Sequence, residues 1–255
     1  MPLVSRRSFV TTLGAAGVVP STALLLGSVS LAEADQSAVP EGNATPDVSV
    51  ADRPSYLFLN AAEVAIIEPA IERLIPADEL GPGALGAGVN YYLDRQLGGA
   101  WGAGERLYRS GPWQLGAPTQ GYQLPFTPAE LFRVSLRAID TQLGARSSPF
   151  HEMSADGQDE YLKSLEAGGH DLDGVPSAIF FDILWKMTVE GFFADPAYGG
   201  NRDMVAWRMI GFPGAYADYL ESIDKHNVKF EREPLSLAQD ARGHVHPRPD
   251  IPAHL

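Results

Sequence analysis

Cysteine is absent from all 255 residues. That absence excludes disulfides, thiolate zinc sites, cysteine nucleophiles, iron–sulfur clusters and haem attached covalently through a Cys-x-x-Cys-His motif. Basic residues are scarce as well: 19 Lys and Arg stand against 32 Asp and Glu, a formal charge of −13. Phosphate backbones are bound by clustered Lys and Arg, so this balance argues against a nucleic-acid partner. Alternating β patterns are few and no internal repeat is present. The sequence also lacks a G-x-S-x-G elbow and any zincin or kinase signature. Gly (26) and Pro (20) are plentiful, yet below the roughly 25–30% that marks low-complexity chains. The length predicts one domain with tails, long enough to bury a core.

The N-terminus reads as an address label. Ser5-Arg6-Arg7-Ser8-Phe9-Val10 is a twin-arginine (Tat) signal, with Arg6 and Arg7 followed by the apolar Phe9. No charge occurs from Ser8 to Ala32, and Ala32-Glu33-Ala34 then supplies a small-x-small cleavage pattern. These are the three regions of an export signal covering residues 1–34. The alternative is an uncleaved anchor, because twenty-odd uncharged residues have the length to span a bilayer; Gly14, Gly17, Pro20 and Gly27 make this a poor span. Cleavage after Ala34 removes two arginines and one glutamate, leaving a mature charge of −14. The Tat route moves folded proteins, commonly loaded with a cofactor, yet this chain has no sulfur to hold a metal. Either a flavin or nucleotide binds directly, or the signal serves a partner exported in the same complex.

Residues 35–55 are acidic, proline-bearing and poor in apolar side chains, the composition of a disordered linker. An all-α domain is expected over 56–230. Its first helix opens on the capping pair Asn60/Glu63, runs to about Ile75 and contains Pro69, which is expected to kink it. A second covers about Ala87 to Leu97. Thr127-Pro128-Ala129-Glu130 starts a third that reaches Gln142. Ser154 opens a fourth, to about Glu166, and Ser177 is expected to cap a fifth over 178–193. This fifth segment carries Phe180, Phe181, Trp185 and other large apolar residues on more than one face. Such a helix is central to the core or shared with a partner. Short helices near Asp203–Met209 and Ala215–Ile223 complete the set. From Glu231 to Leu255 the chain is Pro-rich and aperiodic, either a frayed tail or an arm that orders on another subunit.

Several constellations invite a chemical reading. Gly81-Pro82-Gly83-Ala84-Leu85-Gly86 fits G-x-G-x-x-G, but a dinucleotide site needs a preceding strand and a βαβ unit, and a helix precedes here. A loop between two helices is expected instead. His244-Val245-His246 offers two imidazoles with no third ligand by spacing. Asp156, Asp159 and Glu160 suit a helix start, and Asp171/Asp173 a Gly-rich turn. The most distinctive run is Gly191 to Asp203, followed by Trp207 and Gly211-Phe212-Pro213-Gly214. Gly199-Gly200-Asn201 supplies positions suited to positive φ. Tyr198, Asn201, Arg202 and Trp207 admit three readings: a turn that anchors Trp207, a protein interface, or a sugar site.

In these residues the chain resembles the small subunit (subunit 3) of gluconate 2-dehydrogenase and of related membrane-bound fructose and FAD-dependent glucose dehydrogenases. The resemblance rests on Arg6-Arg7, on Leu74-Ile75-Pro76-Ala77-Asp78-Glu79 with Pro82-Gly83-Ala84 and Gly88-Val89, and on the block from Thr188 to Trp207 closed by Gly211–Gly214. It covers most of residues 57–215. It implies a periplasmic complex, membrane-associated through its other subunits, in which FAD and the catalytic base sit on a large subunit. A cytochrome c subunit carries the haem. The small subunit then brings the Tat signal to the translocase and helps the flavoprotein mature, with no cofactor or catalytic residue of its own. The apolar helix 178–193, the region of Tyr198, Asn201, Arg202 and Trp207, and the arm 231–255 are the surfaces expected to meet the flavoprotein. A stand-alone periplasmic enzyme or sugar-binding protein using Tyr198, Arg202 and Trp207 is the alternative.

Overall fold

Helix starts are where local chemistry is most visible in this chain. A computed structural model describes residues 55–114, 116–215, 223–228 and 232–239. The Tat signal with Arg6, Arg7, Phe9, Ala32 and Ala34, nearly all of the linker, and His244 and His246 lie outside the described residues, as does most of the helix expected over 215–223.

Helix α1 (Ala61–Leu74) begins on a reciprocal cap. Asn60 Oδ1 accepts from the N–H groups of Ala62 and Glu63 at 3.0 and 3.1 Å, and the Glu63 carboxylate accepts from Asn60 N–H at 2.9 Å. Ile66, Ile67, Ala70, Ile71 and Leu74 form its buried stripe. Pro69 stands on the half-buried side, where losing one N–H donor leaves the helix continuous. Helix α2 (Val89–Gly98) buries Val89, Leu93 and Leu97. It starts later than its apolar pattern suggests because Gly88, at φ 77°, makes a left-handed step first.

Helix α3 (Pro128–Gly144) carries a second full capping box, Thr127 with Glu130. The Thr127 N–H bond to the Glu130 carboxylate holds that acid below its ordinary pKa. Helix α4 (Ala155–Glu166) is capped by Ser154, whose Oγ accepts from Gly157 N–H at 3.2 Å. A two-stranded antiparallel hairpin follows, β1 (Asp171–Leu172) and β2 (Val175–Pro176). Its two-residue loop, Asp173-Gly174, has positive φ at both positions (54° and 89°), as a tight hairpin turn requires.

Helix α5 (Ser177–Phe193) is the axis of the domain and packs against α1, α2, α3 and α4. Phe180 stacks edge-on to Phe132 of α3 at 5.2 Å, and Phe180, Phe181, Leu184, Met187 and Phe192 are all buried. Most of its apolar surface is therefore covered by this chain's own helices, while Ile179, Ile183, Trp185, Val189 and Phe193 are half-buried. Ser177 does not cap it. The Ser177 hydroxyl instead donates to Leu165 O at 3.0 Å and accepts from His170 N–H at 3.2 Å, tying α5 to the end of α4. Helix α6 (Val205–Ile210) closes the described fold, so the architecture is all-α apart from one small hairpin.

One surface link joins α1 to α4. Arg73 donates Nε and Nη2 to the two oxygens of Asp159 at 2.7 and 2.8 Å, which holds the Asp159 carboxyl below the usual range. A depressed carboxylate pKa stabilises the fold above its unfolded value, about 4, and that stability is lost as the pH falls through the lower folded value. Asp159→Asn is expected to cost no more than about 1 kcal/mol at neutral pH, since both groups are partly solvated. Acid denaturation should show the difference between wild type and variant shrinking as the pH is lowered.

Candidate functional site

The distinctive block folds into a cross-braced turn. At the end of α5, Asp195 caps a short 3-10 turn (Pro196–Tyr198) by accepting from Ala197 N–H at 2.9 Å. Gly199 (φ 102°) and Asn201 (φ 46°) take the left-handed steps, as their residue types suggest. Gly200 does not, and its reason is space. A Cβ there would lie 2.0 Å from the carbonyl oxygen of Gly191, so the backbone of the turn rests directly on α5. Gly191 is needed too, because its own Cβ would press into the Tyr92 ring of α2 at 2.7 Å.

Asn201 is 0% exposed and braces the turn from within. Its Nδ2 donates to Ala194 O and its Oδ1 accepts from Ala206 N–H, both at 2.9 Å. Arg202 N–H donates to Ala87 O at 2.8 Å, and its exposed guanidinium lies 5.8 Å from the Tyr91 ring centroid. Trp207 is 6% exposed, gives its indole N–H to Phe193 O at 2.8 Å, and stacks edge-on with Phe212. A buried ring whose donor is already engaged offers no platform to a sugar. Tyr198 and Arg202 remain at the surface without it. The turn that anchors Trp207 is thus the reading the geometry supports.

Asp195 has a second task that the sequence pattern did not disclose. Its carboxylate accepts from Ser236 Oγ at 2.6 Å and Leu237 N–H at 2.8 Å. Leu235 adds a parallel bridge to Gly214, where a Cβ would meet Leu235 O at 2.2 Å, and Arg208 pairs with Glu233 at 2.7 Å. The first part of the C-terminal arm, residues 232–239, is therefore ordered on its own chain. That corrects the expectation that this stretch is either frayed or ordered only by a partner. Of the expected interface residues, Phe180, Phe181 and Asn201 are interior and Trp207 nearly so. Trp185 is half-buried, while Tyr198 and Arg202 face solvent.

The glycine-rich loop Gly81–Gly86 follows α1 rather than a strand. Its amide-lined hollow is filled by Glu72, whose carboxylate accepts from Leu85 N–H at 2.9 Å and Ala77 N–H at 3.3 Å. A Cβ on Gly83 would strike that same carboxylate at 2.2 Å. The loop closes over a protein carboxylate, which is incompatible with a pyrophosphate in the same hollow. An open groove of about 380 Å³ lies beside α1, with Glu68, Glu72, Arg73 and His151 among its walls. Three of its polar groups already face protein partners: Glu68 accepts from Tyr56 and Asn90, Glu72 from the loop amides, and Arg73 holds Asp159. Among the described residues no cluster of three or more His, Asp or Glu is placed to hold a metal, and no helix is long and apolar enough to cross a membrane.

A buried carboxylate organises the opposite end of the chain. Asp94 of α2 is 2% exposed and accepts the N–H groups of Leu57, Phe58 and Leu59 at 2.7, 2.9 and 2.8 Å. Arg133 of α3 adds a bond to Phe58 O at 2.9 Å, lies over the Phe58 ring at 4.0 Å, and pairs with Glu63 at 2.6 Å. The strand of chain that leads into α1 is clamped from two helices. Sequence reasoning passes over Asp94 because a lone acid within a helix reads as a solvated charge. Its position between buried Leu93 and Leu97 is the available signal.

Together these features define an all-α protein whose motif residues are committed to bracing its own turns and termini. The chain belongs to the gluconate 2-dehydrogenase subunit 3 family, whose model matches residues 61–214. That match makes it a small subunit of an oxidoreductase complex, and its edges fall at the first residue of α1 and at Gly214, where the C-terminal arm docks. No curated protein and no solved structure matches the chain.

Proposed function

We propose that this chain is a non-catalytic subunit of a periplasmic dehydrogenase for sugars, sugar acids or polyols, and that it escorts an FAD-bearing large subunit through Tat export. FAD and the catalytic base belong to that large subunit and haem c to a third subunit, so the escort contributes the address and a stabilising surface. Family membership supplies the complex. The observation that carries the non-catalytic part is the cross-braced block, where Asp195, Asn201 and Trp207 are each engaged by groups of this same chain. The twin arginines of a chain without cysteine supply the export part.

The test is export in trans. Arg6→Lys with Arg7→Lys in this chain, co-expressed with the unaltered flavoprotein, is expected to strand flavin-dependent dehydrogenase activity in the cytoplasm. Periplasmic activity that persists at the wild-type level would sink the escort reading.

A further inference from the structure

The connection between α2 and α3, residues 99–127, is the longest excursion in the described fold. Apart from one 3-10 turn at Pro118–Gln120 it has no regular structure, and it is about twice the length at which irregular loops become uncommon. Its two feet are fastened. Gly102 N–H donates to Gln96 O, Ala129 N–H to Gly102 O, and Tyr122 OH to Phe126 O. Between the feet, none of the described residues of 99–121 adds a side chain to the hydrophobic core. Tyr122, Leu124 and Phe126 near the second foot pack against the core, but the stretch before them is rich in large side chains that do not. Trp101, Leu107 and Tyr108 are exposed, Tyr108 at 80%, with Arg106 and Arg109 on either side of the Leu107-Tyr108 pair and Trp113 beyond.

We infer that this loop is the surface on which the flavin-bearing subunit docks, with Tyr108 entering an apolar pocket and Arg106 and Arg109 meeting carboxylates around its rim. The inference rests on the proposed function for the identity of the partner. Trp, Tyr and Arg are the side chains that dominate the energy of protein interfaces. The loop is also a stretch where the charge reverses: it holds two arginines and one glutamate, net +1, in a chain of −13, and while Arg109 lies 3.8 Å from Glu130 of α3, Arg106 stands exposed. An acidic counter-surface is therefore favoured here over most of this acidic molecule. A second copy of this chain is a poor occupant, because a two-fold contact through the loop sets its arginines against their own counterparts. An anionic lipid surface is also disfavoured, since two arginines are few against the repulsion of so acidic a chain.

The test uses full-length chain co-expressed with the flavin-bearing subunit and captured through this chain, with flavin absorbance read per copy captured. Wild type is expected to retain the flavoprotein, and the pair Arg106→Glu, Tyr108→Ala to weaken that retention at least tenfold with an unchanged helical signal and unfolding midpoint. Leu237→Ala, an exposed apolar truncation outside the loop, should change nothing. If the loop variant retains flavin as wild type does, or if Leu237→Ala loses as much, the docking surface is elsewhere and the subunit reading stands. If wild type itself retains no flavin, both readings fall. Loop-dependent flotation of the complex on phosphatidylglycerol vesicles, with flavin retention unchanged, would assign the loop to a membrane surface and overturn the proposal.

Discussion

Gly200→Ala should destabilise the domain by about 3 kcal/mol or more, a far larger effect than a surface glycine normally produces. The added Cβ falls 2.0 Å from the carbonyl oxygen of Gly191, a backbone atom inside a helix that itself cannot retreat because Gly191 lies against Tyr92. Relief requires separating the turn from α5, which breaks the bonds Asn201 makes to Ala194 and Ala206. For a domain of this size the loss corresponds to a fall of roughly 6–12 °C in the thermal midpoint. Two other glycines separate contact from conformation. Gly121 has φ +72°, and a methyl group added there would meet no atom within 4 Å, so Gly121→Ala should cost only the left-handed strain of about 1–2 kcal/mol. Gly144 has neither constraint, and Gly144→Ala at the end of α3 should be neutral or stabilising by up to about 1 kcal/mol. Chemical denaturation of the three variants would give this order, and equal losses at positions 200 and 121 would contradict the contact argument.

The second large loss is expected at Asp94→Ala, about 2–4 kcal/mol. Three backbone donors lose a shared charged acceptor in a place where the carboxylate is almost fully enclosed. Asp94→Asn keeps one acceptor oxygen of the same shape and should lose about half as much. The difference between the variants matters because the clamp holds the segment through which the N-terminal extension joins the domain. Amide exchange at Leu57, Phe58 and Leu59 should be slow in wild type and fast in Asp94→Ala, while α5 amides keep their order of protection. Uniform loss of protection across the domain would mean that Asp94 supports the whole core rather than the N-terminal clamp.

Local chemistry makes much of this fold readable. Asn60 with Glu63, Thr127 with Glu130, and Ser154 each form the cap their residue types advertise, because capping is decided within four residues. The all-round apolar face of α5 announces a buried axis, although its pattern cannot say whether this chain or a partner covers it. What escapes reading is set by distance along the chain. Asp195 meets Ser236 and Leu237 some forty residues later, and Asp94 meets residues 57–59 from the far side of α1. Ser177 looks like a cap and is instead a tie to α4, since the hairpin turns the chain back and brings its hydroxyl to His170 and Leu165. Gly200 looks like a turn glycine and is one, but the turn needs its missing Cβ more than its freedom in φ. The stretch 99–121 has no period to read, and its meaning lies in the large side chains, Trp101, Leu107 and Tyr108, that it leaves exposed.

If the redox chemistry sits on another chain, one measurement shows it directly. The exported complex would be purified through this subunit, dissociated under conditions that keep flavin bound, and each separated chain assayed for visible flavin absorbance and dye-linked substrate oxidation. Flavin and turnover should follow the larger chain, leaving this one colourless and inactive. Stoichiometric flavin on this chain, or turnover by it alone, would contradict the escort role.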